Sequence, residues 1–272
     1  MGVRVKVVGL VKTFGGTEFV EAAIESVYDF CDKIVFVHST RDWLGEEGEG
    51  NTVKPVVEAW ANAHDTDNKI INLTGDWPAQ ATQYDVGYRF IKEHLECDWV
   101  MCFDTDEVWD YSNLETARQT LEKAVQYNAV GAWMHTYIKS PFYRVTPPEI
   151  LKPTEFSRPL FDTLIGIRGN GMMPRVVPDN LFFHHFTYVR YREADVMRKI
   201  QTTLLGDQED VPSCTLIDLE KWKRDKWDRL PKARDFHTTK KFEKSWHACV
   251  KVRLSDLPPT VRNKRIIKEH NQ

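Results

Sequence analysis

The sequence predicts an α/β protein with a mostly parallel central sheet that helices flank on both faces. The first half alternates strand-like runs with helical patterns through four repeats, which is typical of strand–helix–strand units. The strand-like runs are apolar throughout, as are strands that are buried on both faces. With 272 residues, of which 42% are hydrophobic and 28% are charged, the chain can bury a core of this size.

Local signals predict each element of the first half. The expected strands are residues 3–11, 33–37, 69–73, 99–103 and 129–137. The expected helices cover residues 17–30, 52–63, 81–95 and 114–127. Asp76 is expected to cap the third helix, with Pro78 in its first turn.

The second half is less regular. Five prolines between residues 141 and 160 predict that this segment is mostly loop. Strands are expected at 160–168 and 181–188. Helices are expected from about Glu193 to Leu205 and from about Asp218 to Trp227, which gives an irregular and helical C-terminal region.

Charge and composition argue against several classes of function. The net charge is −3 without a long block of one sign, whereas a nucleic-acid partner requires a concentrated basic surface. No apolar run approaches the roughly 20 residues that span a bilayer, so no transmembrane segment is expected. The five cysteines include no CxxC pair, and their odd number predicts reduced thiols and a cytoplasmic location.

An acidic cluster of Asp104, Asp106 and Glu107 directly follows the fourth strand. Residues two apart in an extended backbone point the same way, so the two aspartates are expected to converge. Acids crowded at the end of a buried strand repel one another unless water or a cation neutralises them. Ligands of parallel sheets bind beyond the carboxyl ends of the strands, which is where this cluster lies. The cluster therefore predicts a Mn²⁺ or Mg²⁺ site, with a solvated acidic loop as the alternative.

The fourth strand and the following DTDEVW resemble the DxD signature of GT-A glycosyltransferases, in particular their family-2-like members. The segments VVGLVKT, CDKIVFVHST and WPAQATQYDVGY resemble, in order, the family's first strand, second strand and the helix before the signature. The resemblance covers about residues 3–110. His38 stands where the family usually has Asp, and the QYD at 83–85 lacks the Arg of the usual Q-R-N.

The resemblance implies a GT-A (Rossmann-like) fold and a nucleotide-sugar donor that lies across the carboxyl ends of the first two strands. The residues that it places against the donor are Val11, Thr13, His38, Asp85 and Asp104. It also implies that Asp104, Asp106 and a histidine of a late strand hold the metal. His185 is expected in that role rather than His184, because neighbouring side chains of a strand face opposite sides.

Transfer to a hydroxyl acceptor with inversion requires a base. The acidic candidates are Glu107, Asp162, Glu155 and Asp179, of which the first two are selected as catalytic residues. Glu107 can instead support the metal ligands from outside the coordination shell. Inversion and retention of configuration stay open.

The predicted function is a metal-dependent glycosyltransferase, either hexosyl or pentosyl, with a glycan as the expected acceptor. A single domain is expected, with donor binding in 1–110, metal completion and acceptor binding in 111–210 and a helical extension in 211–272. One alternative is a sugar-nucleotide nucleotidyltransferase, although the KTFGGTE loop lacks the basic cluster expected for it. The other alternative is a non-catalytic glycan-binding module derived from a transferase.

Overall fold

The computed structural model describes residues 4–13, 15–41, 51–77, 79–146, 156–159, 175–206, 223–225, 227–230 and 248–270. The strands are β1 (Val7–Thr13), β2 (Lys33–Ser39), β3 (Ile70–Gly75), β4 (Trp99–Cys102), β5 (Glu107–Val108), β6 (Ala129–Val130), β7 (Trp133–Ile138), β8 (Ser140–Thr146), β9 (Phe156–Ser157), β10 (Arg175–Val176), β11 (Phe182–Tyr188) and β12 (Ala248–Lys251). The helices are α1 (Val20–Val27), α2 (Val53–His64), α3 (Gln80–His94), α4 (Tyr111–Lys123), α5 (Glu193–Gly206), α6 (Pro259–Arg262) and α7 (Arg265–His270).

The central sheet is mostly parallel. Within the described residues it has seven strands, in the order β10-β6-β9-β4-β1-β2-β3. The strand β1 runs parallel to β2 and β4, and β2 runs parallel to β3, whereas β9 is antiparallel to β4 and β6. Every residue of β1 is buried, as expected for a strand covered on both faces. The predicted α/β class with a mostly parallel central sheet is confirmed.

The side chains of β1 alternate between two apolar clusters. Val7 and Val11 belong to a cluster that contains residues of α1, α2 and α4. Val8 and Leu10 belong to a second cluster, in which they meet Tyr88 and other residues of α3. This alternation of period two places helices on both faces of the sheet, which is the arrangement that the apolar strands predicted.

The chain forms two compact units, which are Met1–Met134 with Ile150–His184 and His135–Glu149 with His185–Gln272. The first unit contains the seven-stranded sheet and α1 to α4. In the second unit β8 and β12 pair antiparallel, and α5 contributes Val196 to an apolar cluster with Trp227. Among the residues that the structure describes, every helix is too short or too polar to cross a bilayer.

The prediction of one strand over residues 129–137 was wrong. The segment forms two strands that belong to different sheets, β6 in the first and β7 in the second, whose order is β12-β8-β7-β11-β5. Between them the Gly131 N–H donates to the Val176 carbonyl at 2.9 Å. At Gly131, where the chain passes from the first sheet to the second, the backbone is therefore still hydrogen-bonded to β10.

The prediction of loop was also wrong for residues 141–146, which lie in β8, and for residues 156–157, which form β9. Pro141 is near the start of this strand, and the register with β12 begins two residues later, at Tyr143. The missing N–H of the proline therefore removes no bond to β12. Of the other predicted elements, the strand at 181–188 and the helix at 193–205 are confirmed. The strand at 160–168, and residues 218–222 and 226 of the last predicted helix, lie outside the described residues.

Asp76 does not cap the third helix, contrary to the prediction. The helix α3 begins at Gln80, and its N-cap residue is Ala79. The Asp76 carboxylate instead forms an ion pair with Arg41, at 2.7 Å. Pro78 lies outside the described residues.

Candidate metal and donor site

The acidic residues after β4 form a tight turn. The Glu107 N–H donates to the Asp104 carbonyl at 3.0 Å, and the Asp104 N–H donates to Glu107 Oε2 at 3.1 Å. Glu107 is fully buried at the start of β5, so its carboxylate is held beneath the turn. These two reciprocal bonds fix the backbone from which Asp104 and Asp106 project.

The side chains of Asp104 and Asp106 lie beside His185 of β11. A carboxylate oxygen from each aspartate and a ring nitrogen of His185 all lie within 4.8 Å of one another. Asp106 is only 3% exposed. Two carboxylates and an imidazole form a donor set that suits Mn²⁺, and Mg²⁺ also accepts the carboxylates. The residues present therefore fit a divalent cation.

His184 has different neighbours from His185. Its Nε2 lies 3.0 Å from Asp110 Oδ2, and its side chain is buried. Phe183, which by alternation faces the same side of β11 as His185, stacks on Trp109 with the ring centroids 5.2 Å apart. Alternation along β11 thus separates the two histidines, and the structure groups His185 rather than His184 with the two aspartates.

Lys12 and Tyr84 hold Asp104 from the side of α3. Lys12 Nζ lies 2.9 Å from Asp104 Oδ1, and the Tyr84 hydroxyl donates to the same oxygen at 3.1 Å. The strand register explains the ion pair. Leu10 of β1 pairs with Cys102 of β4, so Lys12 and Asp104, each two residues further on, extend on the same face of the sheet.

Neither Lys12 nor Tyr84 was selected from the sequence. The sequence did carry a signal for Lys12, which is a lysine near the end of an otherwise apolar strand. An ammonium group that is buried there requires an anionic partner. The Lys12 side chain is 8% exposed and that of Asp104 is 18% exposed. Tyr84 lies within the QYD segment, at the position where the family pattern has Arg.

Thr13 and His38, both predicted to contact the donor, face each other across β1 and β2. Thr13 Oγ1 lies 2.6 Å from His38 Nδ1, and His38 Nε2 lies 2.8 Å from Asn72 Oδ1. Burial lowers the pKa of His38. A neutral imidazole donates through one nitrogen and accepts at the other, so Nε2 donates to Asn72 and Nδ1 accepts from the Thr13 hydroxyl.

The remaining residues that were predicted to contact the donor lie on both faces of the sheet. Val11 is fully buried in the apolar cluster beneath α1 and α2, whereas Asp85 is half-buried on α3. The structure therefore brings Asp104 together with Asp106, and Thr13 together with His38. It places Val11 and Asp85 on opposite sides of the sheet.

Two amide side chains that were not selected from the sequence hold the carboxyl end of β1. Asn51 Nδ2 donates to the Thr13 carbonyl at 2.9 Å and to the Ser39 carbonyl at 3.1 Å. Gln83 Nε2 donates to the Thr13 and Val37 carbonyls, each at 3.1 Å. Both side chains therefore bind backbone carbonyls of β1 and β2, which keeps these two strand ends in register.

The structure describes two of the four candidate bases. Glu107 is buried beneath the acidic turn, and Asp179 is exposed in the turn before β11. Asp162 and Glu155 lie outside the described residues.

Solved structures provide the comparisons, because the chain matches no protein-family model and no curated protein matches its sequence. It is similar to the mannosyltransferase PcManGT from Pyrobaculum calidifontis in complex with GDP-Man and Mn²⁺, with 14% identity, a TM-score of 0.47, and coverage of 80% of this chain and 68% of that one. It is similar to S. aureus TarS 1-349 in complex with UDP-GlcNAc, with 12% identity, a TM-score of 0.44, and coverage of 80% and 70%. It is also similar to 4-diphosphocytidyl-2C-methyl-D-erythritol synthase from Anaerococcus prevotii, with 10% identity, a TM-score of 0.42, and coverage of 71% and 96%.

Proposed function

We propose that the chain is a metal-dependent glycosyltransferase that moves a sugar from a nucleoside-diphosphate donor to a hydroxyl acceptor, with a glycan as the expected acceptor. The observation that carries this proposal is the group of Asp104, Asp106 and His185 beyond the carboxyl end of β4. Ligands of largely parallel sheets bind at this edge. The resemblance of residues 3–110 to GT-A enzymes supports a nucleotide-sugar as the donor.

In this proposal Asp104, Asp106 and His185 hold Mn²⁺ or Mg²⁺. A divalent cation at this position supplies charge that stabilises a departing nucleoside diphosphate. The surrounding residues keep the ligands in place, because Glu107 fixes the Asp104 backbone and Tyr84 fixes its carboxylate. Such fixed geometry lowers the cost of reorganisation during the reaction.

We propose that the nucleotide lies across the carboxyl ends of β1 and β2, near Val11, Thr13 and His38. His38 acts there as a positioning residue, because its ring is buried and accepts from the Thr13 hydroxyl. Asp85 and Asp104, on the side of α3, are proposed to face the ribose or the donor sugar. The ends of β1 and β2 and the residues on the side of α3 would then lie towards opposite ends of the donor.

Glu107 supports the acidic turn in this proposal, since its carboxylate accepts the N–H of Asp104. Asp162 stays the proposed base on sequence grounds. A cytoplasmic location is part of the same proposal, and the odd number of cysteines with no CxxC pair supports it.

The proposal is tested by the hydrolysis of a panel of UDP- and GDP-sugars with and without Mn²⁺. We expect the wild-type chain to hydrolyse at least one donor only when Mn²⁺ is present. Asp106→Asn should lower that rate by more than roughly 100-fold, because even the outer partners of metal ligands account for about 10–100-fold. Asp67→Asn, in an exposed turn, is the matched control and should leave the rate unchanged.

Near-normal turnover of Asp106→Asn with the metal chelated would refute the proposal. The same preparation separates the alternatives. A nucleotidyltransferase would release pyrophosphate from a nucleoside triphosphate and a sugar phosphate. A glycan-binding module would bind a sugar without any need for the nucleotide.

A further inference from the structure

Asp104 is paired with a cation of the chain itself. Its Oδ1 accepts from both Lys12 Nζ, at 2.9 Å, and the Tyr84 hydroxyl, at 3.1 Å. The ammonium group also lies 5.4 Å from the centroid of the Tyr84 ring, so the aromatic face holds it next to the carboxylate. The Lys12 side chain is only 8% exposed, so its ammonium group is largely shielded from water.

This pairing conflicts with the role of Asp104 as a metal ligand. A divalent ion bound to Asp104 would lie close to the ammonium group, and like charges repel strongly where water is excluded. The metal would then compete with the Lys12 ammonium group for the Asp104 carboxylate. Weakening the ion pair of a buried charge is costly, and an anion that binds next to the metal would offset that cost.

We infer that Lys12 is a resident cation of the site, which pairs with Asp104 before a metal binds and with a phosphate group of the donor afterwards. The inference rests on the proposed function, because it requires a metal and a diphosphate at this edge. Lysine suits the exchange, since its ammonium is a point charge with three donors on a flexible stem. Arginine, with its planar fork, would be less free to exchange partners.

The formal charges are consistent with this exchange. Asp104, Asp106, Glu107 and Lys12 together leave an excess of two negative charges, which one divalent cation balances. A diphosphate added to that balanced site brings new negative charge. Lys12 is a basic side chain that lies directly against Asp104.

The test measures Mn²⁺ binding by the full chain, from the electron paramagnetic resonance signal of free Mn²⁺, and then pyrophosphate binding at saturating Mn²⁺. Lys12→Met keeps the apolar stem and removes the charge. We expect this variant to bind Mn²⁺ alone at least about tenfold more tightly and pyrophosphate about tenfold more weakly, which is the effect of one hydrogen bond to a charged group.

Lys69→Met is the matched control. Lys69 also lies over a tyrosine ring, with Nζ 4.7 Å from the Tyr28 centroid, and it donates to the Tyr28 carbonyl at 2.9 Å. It is remote in the sheet from the acidic turn, because it immediately precedes β3. Both affinities should therefore equal those of the wild-type chain.

When the wild-type chain binds Mn²⁺ tightly, either of two results would overturn this inference alone. The first is a Lys12→Met variant that binds Mn²⁺ no more tightly than the wild-type chain, and the second is one that binds pyrophosphate no more weakly. A wild-type chain that binds no Mn²⁺ would overturn the proposed function and this inference with it. If Lys12→Met does not fold without metal, Lys12→Gln replaces it. Failure of both variants to fold at saturating Mn²⁺ would overturn the inference, since Lys12 would then be required whether or not a metal is present.

Discussion

The position of α3 against the sheet depends on a glycine. At Gly87 a Cβ atom would lie 2.3 Å from Leu10 Cδ1 and 2.7 Å from Val37 Cγ2. Both distances are far shorter than the roughly 3.5–4.0 Å that carbon atoms prefer. Because α3 carries Tyr84, the close approach at Gly87 also brings the Tyr84 hydroxyl to Asp104.

Two opposing effects determine the outcome of Gly87→Ala. Alanine is more favourable than glycine within a helix by about 1 kcal/mol. Extra atoms in a packed core cost about 1–3 kcal/mol, and we take the upper value because side chains of both β1 and β2 must move. The net loss of unfolding free energy is then about 2 kcal/mol, which lowers Tm by roughly 4–8 °C for a chain of this size.

Thermal unfolding followed by circular dichroism measures this change. Gly15→Ala is the control, since Gly15 is exposed and a Cβ atom there would have no neighbour within 4 Å. Its unfolding free energy should stay within about 0.5 kcal/mol of the wild-type value. An unchanged or higher Tm for Gly87→Ala would refute the reasoning, because α3 would then tolerate a wider separation from the sheet.

Two further predictions concern a histidine and a glutamate of the site. Burial lowers the pKa of His38 below its usual 6.5, so the unfolded chain binds the proton more tightly and the unfolding free energy should fall as the pH decreases below about 6.5. In His38→Gln the difference in unfolding free energy between pH 7.5 and pH 5.5, measured with denaturant, should become smaller. It should not vanish, because burial also lowers the pKa of His270. An undiminished difference would exclude His38 as its source. Glu107→Gln retains an oxygen that can accept the Asp104 N–H, so its Mn²⁺ affinity should change less than that of Glu107→Ala, which we expect to lose about 10–100-fold. Full Mn²⁺ binding by Glu107→Gln with no transfer activity would instead identify Glu107 as the base.

The strands β1 to β4 of the first sheet could be predicted because their signal is local, whereas the two-residue strands β9 and β10 were not predicted. The strand β2 was expected at residues 33–37 and extends from Lys33 to Ser39, and β4 was expected at 99–103 and ends at Cys102. In both, consecutive apolar residues indicate burial on two faces. The acidic turn could be located for the same reason, since it begins where the apolar residues end.

The partners of the site residues could not be predicted, because they depend on which strands become neighbours. Asp76 has the residue type and spacing of a helix cap, but it pairs with Arg41 from a different part of the chain. Asn51 is polar and follows a Gly-rich stretch, yet its side chain joins the ends of β1 and β2. Each of these contacts requires the strand order, which hydropathy does not encode.

The chemistry of Asp104 arises from that strand order rather than from the acidic sequence alone. The DTDE segment supplies the carboxylates, but β1 supplies the ammonium group and α3 supplies the phenol that hold one of them. Because β1 lies next to β4 in the sheet, a lysine near the end of the first strand becomes the counter-ion of an aspartate 92 residues later. A DxD segment whose first aspartate is already paired is chemically different from a solvated one, since a metal must compete for it. In the proposed function, the residue at position 12, two past the last β1–β4 pair, therefore sets how strongly this site binds a cation.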